Sequence, residues 1–381
     1  MAGPLHGITV IEIVGLGPGP FCGMLLADLG ADVIRIDRVD PGRMFRAGDP
    51  ATDVMARSRR SVAVDLKRPE GVDVVLRLAA DADALFEGMR PGVAERLGIG
   101  PEVVLGANPA IVYGRMTGWG QEGPWAQMAG HDIDYIALTG MLGAIGRAGG
   151  PPIPPLNLLG DFGGGGLMLA FGLLAGILHA RTTGEGQVVD AAMVDGASVL
   201  GSMVFGLAAA GGWTPERGTN LLDTGAPFYD VYETADGRHV GVGAIEPQFF
   251  AALVDGLGLP AEMAAQQWDR SRWEAHRTAI AEAFATADRD TWADRFEGTD
   301  ACVAPVLTYT EAPGHPHLAA RGTFVDVAGV TQPAPAPRFD RTPAAIPRPP
   351  VAPGTDTDTV LADAGFEAAE IVRLREFGAI G

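Results

Sequence analysis

A histidine directly before an acid, His131-Asp132 in AGHDIDY (129–135), opens an otherwise apolar stretch of a chain with only seven histidines. Histidine is the side chain most easily set to take or give a proton near neutrality. A second acid, Asp161, stands at an expected helix start in NLLGDFGGGG (157–166), and a third, Glu246, follows the apolar run HVGVGAI. Each has a plainer reading. His131 fits a satisfied core position, Asp161 an N-cap accepting from orphan N–H groups, and Glu246 a first-turn carboxylate beside Pro247. Four successive glycines at 163–166 exceed what a cap requires, and they cost helix stability. They make sense where something lies against the backbone. The helix start at Gly160, Asp161 and Gly163 would then offer N–H groups and a positive dipole end to an anion or a developing oxyanion. A serine nucleophile elbow, an H-E-x-x-H pair and a G-x-x-x-x-G-K loop are all missing. Taken alone, these residues point to an α/β enzyme with acid/base groups and an anionic ligand.

Such groups need a scaffold. GITVIEIVG (7–15) reads as a buried strand, PFCGMLLADLGA (20–31) as a helix and DVIRIDR (32–38) as a second strand. That is a parallel, right-handed βαβ crossover. SVAVDL (61–66), a helix over 71–82, ALFEGM (84–89) and AIVYGRMTG (110–118) continue the alternation, which implies a sheet with helices on both faces. The texture changes at FYDVYETADGRHVGVGAIE (228–246), a hairpin around Asp236-Gly237. The fold class is therefore α/β: a large Rossmann-like parallel-sheet domain over 1–200, a Gly-rich linker at 201–228 and a smaller α+β domain at 229–320. A return segment, 321–381, follows, of which 330–381 completes the large domain. Eight prolines between 333 and 353 keep this return extended before a last helix at 366–378.

The net charge of −19 argues against nucleic-acid binding, which needs clustered positive charge. Yet nine of the 28 basic residues fall between 35 and 68: Arg35, Arg38, Arg43, Arg46, Arg57, Arg59, Arg60, Lys67 and Arg68. A phosphate-bearing ligand would explain them; so would a solvated face balanced by Asp32, Asp37, Asp40, Asp49, Asp53 and Asp65. Only Cys22 and Cys302 occur, without metal-ligand spacing, so neither a disulfide scaffold nor a metal site is expected. The opening residues MAGPLHGITVIEIVG lack the basic region and following apolar core that a signal peptide would show, so none is expected, and the apolar run at 163–178 is Gly-laced and short for a membrane span. Cytoplasm is the expected compartment. GLGPGPFCG (15–23) occupies the place of a dinucleotide fingerprint, but Pro20 and Cys22 break the G-x-G-x-x-G spacing, and Pro18 and Pro20 remove two phosphate-binding N–H donors. A nicotinamide site is not expected.

Ordered along the chain, GLGPGPFCGMLLADLGADVIRIDR, RSRRSVAVDLK, EGMRPGVAERLGIGP, MTGWGQEGP, AGHDIDYIALTG, PPLNLLGDFGGGG, GQVVDAAMVDG and DGRHVGVGAIEPQF resemble the α-methylacyl-CoA racemases of the family III CoA-transferase superfamily. DACVAPVL (300–307) extends the likeness over nearly the whole chain. The resemblance implies an acyl-CoA thioester substrate, no separate cofactor and proton transfer at the 2-methyl carbon. His131 and Asp161 would be the two acid/base residues, with Glu246 hydrogen-bonded to His131. Arg38 and Arg90 match CoA-contacting arginines, and Arg60 is a third candidate. The resemblance further implies an interlocked homodimer with its active site at the interface, Glu246 reaching His131 across it. Transferases of the superfamily form an acyl adduct on an aspartate at about the position of Asp132. That residue is therefore the nucleophile of the alternative reading.

Overall fold

The computed structural model describes residues 3–40 and 48–381; Arg43 and Arg46 of the basic cluster lie outside them. Its centre is a parallel six-stranded sheet in the order β3-β2-β1-β4-β5-β6. The strands are β1 (Thr9–Ile13), β2 (Asp32–Asp37), β3 (Arg60–Ala63), β4 (Ala84–Glu87), β5 (Val112–Thr117) and β6 (Gln187–Ala192). Apolar, largely β-branched runs form the inner strands because both faces are covered by crossover helices. On one face Ile11, Ile34, Val62 and Leu85 pack with Val74 and Leu78 of the helix Pro69–Ala80 and with Leu361 and Ile371 of the C-terminal segment. On the other, Val10, Val33, Phe86 and Val112 meet Cys22 and Leu26 of the helix Pro18–Asp28 and Leu169 and Leu173 of the helix Met168–Thr183. The chain end seals the β3 edge: Asp65 N–H donates to the Ala379 carbonyl at 2.9 Å and Gly381 N–H to that of Ala63 at 3.0 Å.

Pro18 and Pro20 lie in the first turn of the helix Pro18–Asp28. First-turn N–H groups have no intrahelical acceptor, so proline is tolerated there.

The chain divides into two compact units, one of 1–139, 156–200 and 317–381, the other of 140–155 and 201–316. In the second, β7 (Tyr229–Glu233), β8 (His239–Gly243) and β9 (Val303–Pro305) form an antiparallel sheet. Glu233 pairs with His239 across the Asp236-Gly237 turn, where Gly237 has φ 72°. Phe228, Phe250, Trp273, Phe284 and Trp292 build its core. The sequence reading of 1–200 as one block misses that 140–155 belongs to this second unit. Arg147 Nη1 reaches buried Asp230 at 2.7 Å and Arg217 Nη1 the Gly143 carbonyl at 2.8 Å. Ties between residues this far apart leave no local pattern. A short hairpin in the first unit, β10 (Phe324–Val327) with β11 (Val330–Pro333), precedes the proline-rich return.

One stretch among the described residues, Leu158–Thr183, is long and apolar enough to cross a membrane by length and composition. Here its inner side is core: a Cβ on Gly114 of β5 would come within 2.9 Å of both Leu169 and Leu173.

Candidate active site

The strand order reverses between β1 and β4, and in open α/β sheets ligands bind at the carboxyl ends of strands beside that crevice. The loop after β1 makes room for one candidate acid. Gly17 has φ 67°, and a Cβ there would stand 2.9 Å from Asp161 Oδ2. The glycine-rich turn that imitates a nucleotide fingerprint thus gives space to a carboxylate.

Asp161 does not cap its helix. Residues Leu158–Leu167 form a wide π-type helix that continues into Met168–Thr183, with Asn157 at the N-cap position and Asp161 in the first turn. Asn157 Nδ2 donates to Asp161 Oδ2 at 3.1 Å. The glycines that follow are explained by protein rather than by a ligand. A Cβ on Gly196 would lie 1.9 Å from the Gly164 carbonyl oxygen, so the helix Met193–Leu200 meets the π-helix backbone to backbone. Gly160 is different, for a Cβ there would come 2.5 Å from Asp132 Oδ2. The expected free N–H at Asp161 is engaged: it donates to Asp132 Oδ2 at 2.6 Å. Gly163, five residues beyond Leu158, lies within the i→i+5 pattern of such a helix. Of the three positions, Gly160 alone remains in the first turn without an intrahelical acceptor.

His131 is the N-cap of the helix Asp132–Leu138, exposed, with its N–H donating to Asp134 Oδ2 at 2.9 Å. That helix is anchored by buried Asp132, Tyr135 and Ile136; the Tyr135 ring meets Trp119 edge-on at 4.7 Å, and its hydroxyl donates to the Gly130 carbonyl. His131, Asp132, Asn157 and Asp161 therefore converge. Burial raises the Asp161 pKa above the ordinary carboxylate value; the Asn157 hydrogen bond opposes this, the Asp132 charge adds to it and His131 lowers it. A half-buried acid whose proton is held more tightly than usual, beside an exposed imidazole, can exchange protons with a carbon acid placed between them. Asn157 and the inward role of Asp132 escaped the sequence reading. The four-residue spacing from Asn157 to Asp161, a same-face helical pair, is a signal for the first.

Glu246 belongs to the second unit, exposed at the N-cap of the helix Pro247–Leu257, directly after the β8 run. Cys302 is near enough for the Glu246 charge to reinforce burial in raising its thiol pKa.

The basic cluster mostly dissolves into ion pairs. Arg57 binds Asp28, Arg59 binds Glu12, Arg35 binds Asp37 at 2.7 Å, and Arg68 faces Asp65 at 3.4 Å. Arg60, a candidate ligand contact, spends its guanidinium on Asp32 and, at 2.8 Å, on Asp363. Arg38 and Lys67 line a cavity of about 390 Å³ over the ends of β1 to β3, with Ile13, Val39, Leu66 and Met89 among its other walls. Arg90 is exposed in the loop after β4. Glu87, which ends β4, is 1% exposed and accepts from the Met89 N–H at 2.5 Å. Burial pushes its carboxyl up to about 7, against the pull of that hydrogen bond and of Arg115.

Residues 5–359 match the family model described as CoA-transferase family III. The chain is 46% identical over 373 residues to an alpha-methylacyl-CoA racemase of Mus musculus, covering 97% of this chain and 96% of that one. A Homo sapiens protein of the same name is 44% identical over 377 residues, with 97% and 96% covered. Among solved structures, a CAIB/BAIF family protein from Brucella suis superposes with a TM-score of 0.82 at 23% identity, over 96% of this chain and 100% of that one, which shows the shared fold. Among the described residues no cluster of three or more His, Cys, Asp or Glu is placed to hold a metal ion.

Proposed function

We propose that this chain, which belongs to CoA-transferase family III, interconverts the (2R) and (2S) forms of a 2-methylacyl-CoA thioester by proton transfer at the α-carbon. The observation that carries the reading is the convergence of His131 with an Asp161 whose proton is held above the usual range. Its relatives named alpha-methylacyl-CoA racemase, at 44% and 46% identity over nearly the whole chain, support it. Inversion at carbon removes a proton from one face and returns one to the other, so two groups must flank the centre and exchange roles with substrate hand. Neutral His131 serves the S substrate as base while protonated Asp161 delivers from the opposite side; for the R substrate the roles reverse. The enolate oxygen between them needs donors placed in advance. With the Asp161 N–H already bonded, these come from Gly160 and from the first turn of the His131 helix. Glu246 sets the His131 tautomer in this scheme. No separate cofactor is required, because the thioester itself acidifies the α-proton.

Arg38 and Lys67, which line the cavity, and Arg90 hold the CoA phosphates; Arg60, committed to two carboxylates, does not. The alternative, acyl transfer through Asp132, is disfavoured by one feature: that carboxylate is buried and turned onto the Asp161 N–H. Cytoplasmic residence goes with two free thiols, Cys22 and Cys302.

The working form is an interlocked homodimer with Glu246 supplied by the second chain. An apolar stripe on the long helix supports this, since Leu167, Phe171 and Leu178 are 51%, 71% and 69% exposed. Patches of such side chains mark covered surfaces. Sedimentation at assay concentration is expected to give a dimer; a fully active compact monomer would refute it.

The activity is tested by incubating each enantiomer of a 2-methylacyl-CoA with the protein in D2O, without added cofactor. Deuterium should enter C2 of both hands as the enantiomer ratio moves to equality. Absence of exchange, with acyl transfer to a second acceptor, would establish the transferase instead.

A further inference from the structure

We propose that Asp132 is a positioning residue for this reaction: its carboxylate, bonded to the Asp161 backbone N–H, fixes where Asp161 presents its side chain and leaves Asp161 the aspartate that carries the proton. The inference rests on the racemase reading. Four observations carry it. Asp132 is 6% exposed, and its Oδ2 accepts from Asp161 N at 2.6 Å. That contact is tight enough to exclude any side chain at Gly160, whose Cβ would fall 2.5 Å from the same oxygen. Asp132 Oδ1 is buried with no hydrogen-bond partner, so the carboxylate is held at one oxygen. The charge of Asp132 also raises the proton affinity of Asp161.

The two carboxyls are unequal in their surroundings. Asp132 accepts the Asp161 backbone N–H at one oxygen. Asp161 is half-buried, and its own carboxylate accepts from the neutral Asn157 amide. The charged and titratable groups acting on Asp161 are Asp132 and His131 from the adjoining helix, and the Tyr135 hydroxyl feels its charge in turn. The loop after β1 contributes Gly17, and the helices packed on the π-turn contribute Pro18, Phe21 and Met193. None of these carries charge. A residue whose type would allow nucleophilic attack is thus spent on orienting and biasing its neighbour.

The experiment compares wild type, Asp132→Asn and Asp132→Ala for kcat, KM and the pH dependence of racemisation from each enantiomer, with circular dichroism as the check on folding. The isosteric asparagine keeps an acceptor for the Asp161 N–H and loses the charge. Asp132→Asn should therefore retain kcat to within ~10-fold while the limb belonging to Asp161 moves to lower pH. Asp132→Ala loses both contributions, and kcat should fall by about 10²-fold with KM within about twofold. An unmoved limb in Asp132→Asn overturns the proposal, as does a loss confined to KM. Hydroxylamine trapping of an acyl group on Asp132 in the wild type would overturn it differently, by making Asp132 a nucleophile. Wild type that exchanges no α-deuterium would sink the racemase reading itself, whereas exchange with both variants at wild-type rates sinks only this inference.

Discussion

Asp161→Asn is expected to lower racemisation by about 10²- to 10⁴-fold, the usual worth of a positioned acid/base group. The amide is nearly isosteric and leaves the Asp161 N–H on Asp132 and the neighbouring Asn157 in place, so KM should change little. The loss should be directional in isotope experiments. With His131 intact, any residual deuterium incorporation should enter the S hand and return on the same face, without inversion. The pH dependence carries a sign. When Asp161 is the base, it must be deprotonated, and burial with the Asp132 charge raises its pKa above the ordinary value. That direction should lose rate as pH falls through the raised value, earlier on acidification than an unperturbed aspartate would. An Asp161→Asn enzyme that racemises within about tenfold of wild type would remove Asp161 from the acid/base pair.

Arg59→Ala should have the largest effect on stability, a loss of about 3–5 kcal/mol, read as a lowered urea midpoint. Glu12, on β1, is 0% exposed and Arg59 1%, and they form a salt bridge inside the first unit. Burial raises the Glu12 pKa most, with a smaller push from the Asp37 charge, and the Arg59 charge and hydrogen bond are the main forces opposing it. Removing the guanidinium strands a buried carboxyl already short of partners, since Glu12 Oε1 has none. Breaking such a pair costs far more than replacing both members. The double variant Glu12→Gln/Arg59→Met should therefore recover much of the loss; equal destabilisation by single and double variants would contradict the account. Gly23 completes the arrangement, because a Cβ there would lie 2.3 Å from Glu12 Oε2. The same surroundings keep Cys22 inert: burial, with the Glu12 charge, pushes its thiol well up. Function is linked to this pair through β1, which leads directly into the loop at Gly17 beside Asp161.

Much of the sheet was legible in the chain. GITVIEIVG and DVIRIDR contain β1 and β2, paired in parallel with Ile11 opposite Ile34, and ALFEGM contains β4. Such runs announce themselves because burial on both faces demands apolar residues at consecutive positions. Less was legible at 157–166, where the residues read as a capped helix. A π-helix has no distinct sequence periodicity over one or two turns, and the glycines that permit it are required by Pro18, Phe21 and the helix Met193–Leu200 packed against it. The basic cluster misled in part for a related reason. Charge counts along a chain do not say that Arg60 faces Asp363, which lies 303 residues away.

His131, Asp161 and Glu246 as chemically capable residues, the parallel α/β scaffold and the hairpin at Asp236-Gly237 were determined by the sequence itself, since residue type, strand composition and turn chemistry are local properties. Only the tertiary structure decided which arginines are spent on carboxylates, that 140–155 joins the second unit and that Asp132 turns toward Asp161. Each of these is a contact between side chains or backbone groups distant along the chain. Twenty-nine residues separate Asp132 from Asp161, and only the packing of two helices puts one carboxylate on the other's N–H.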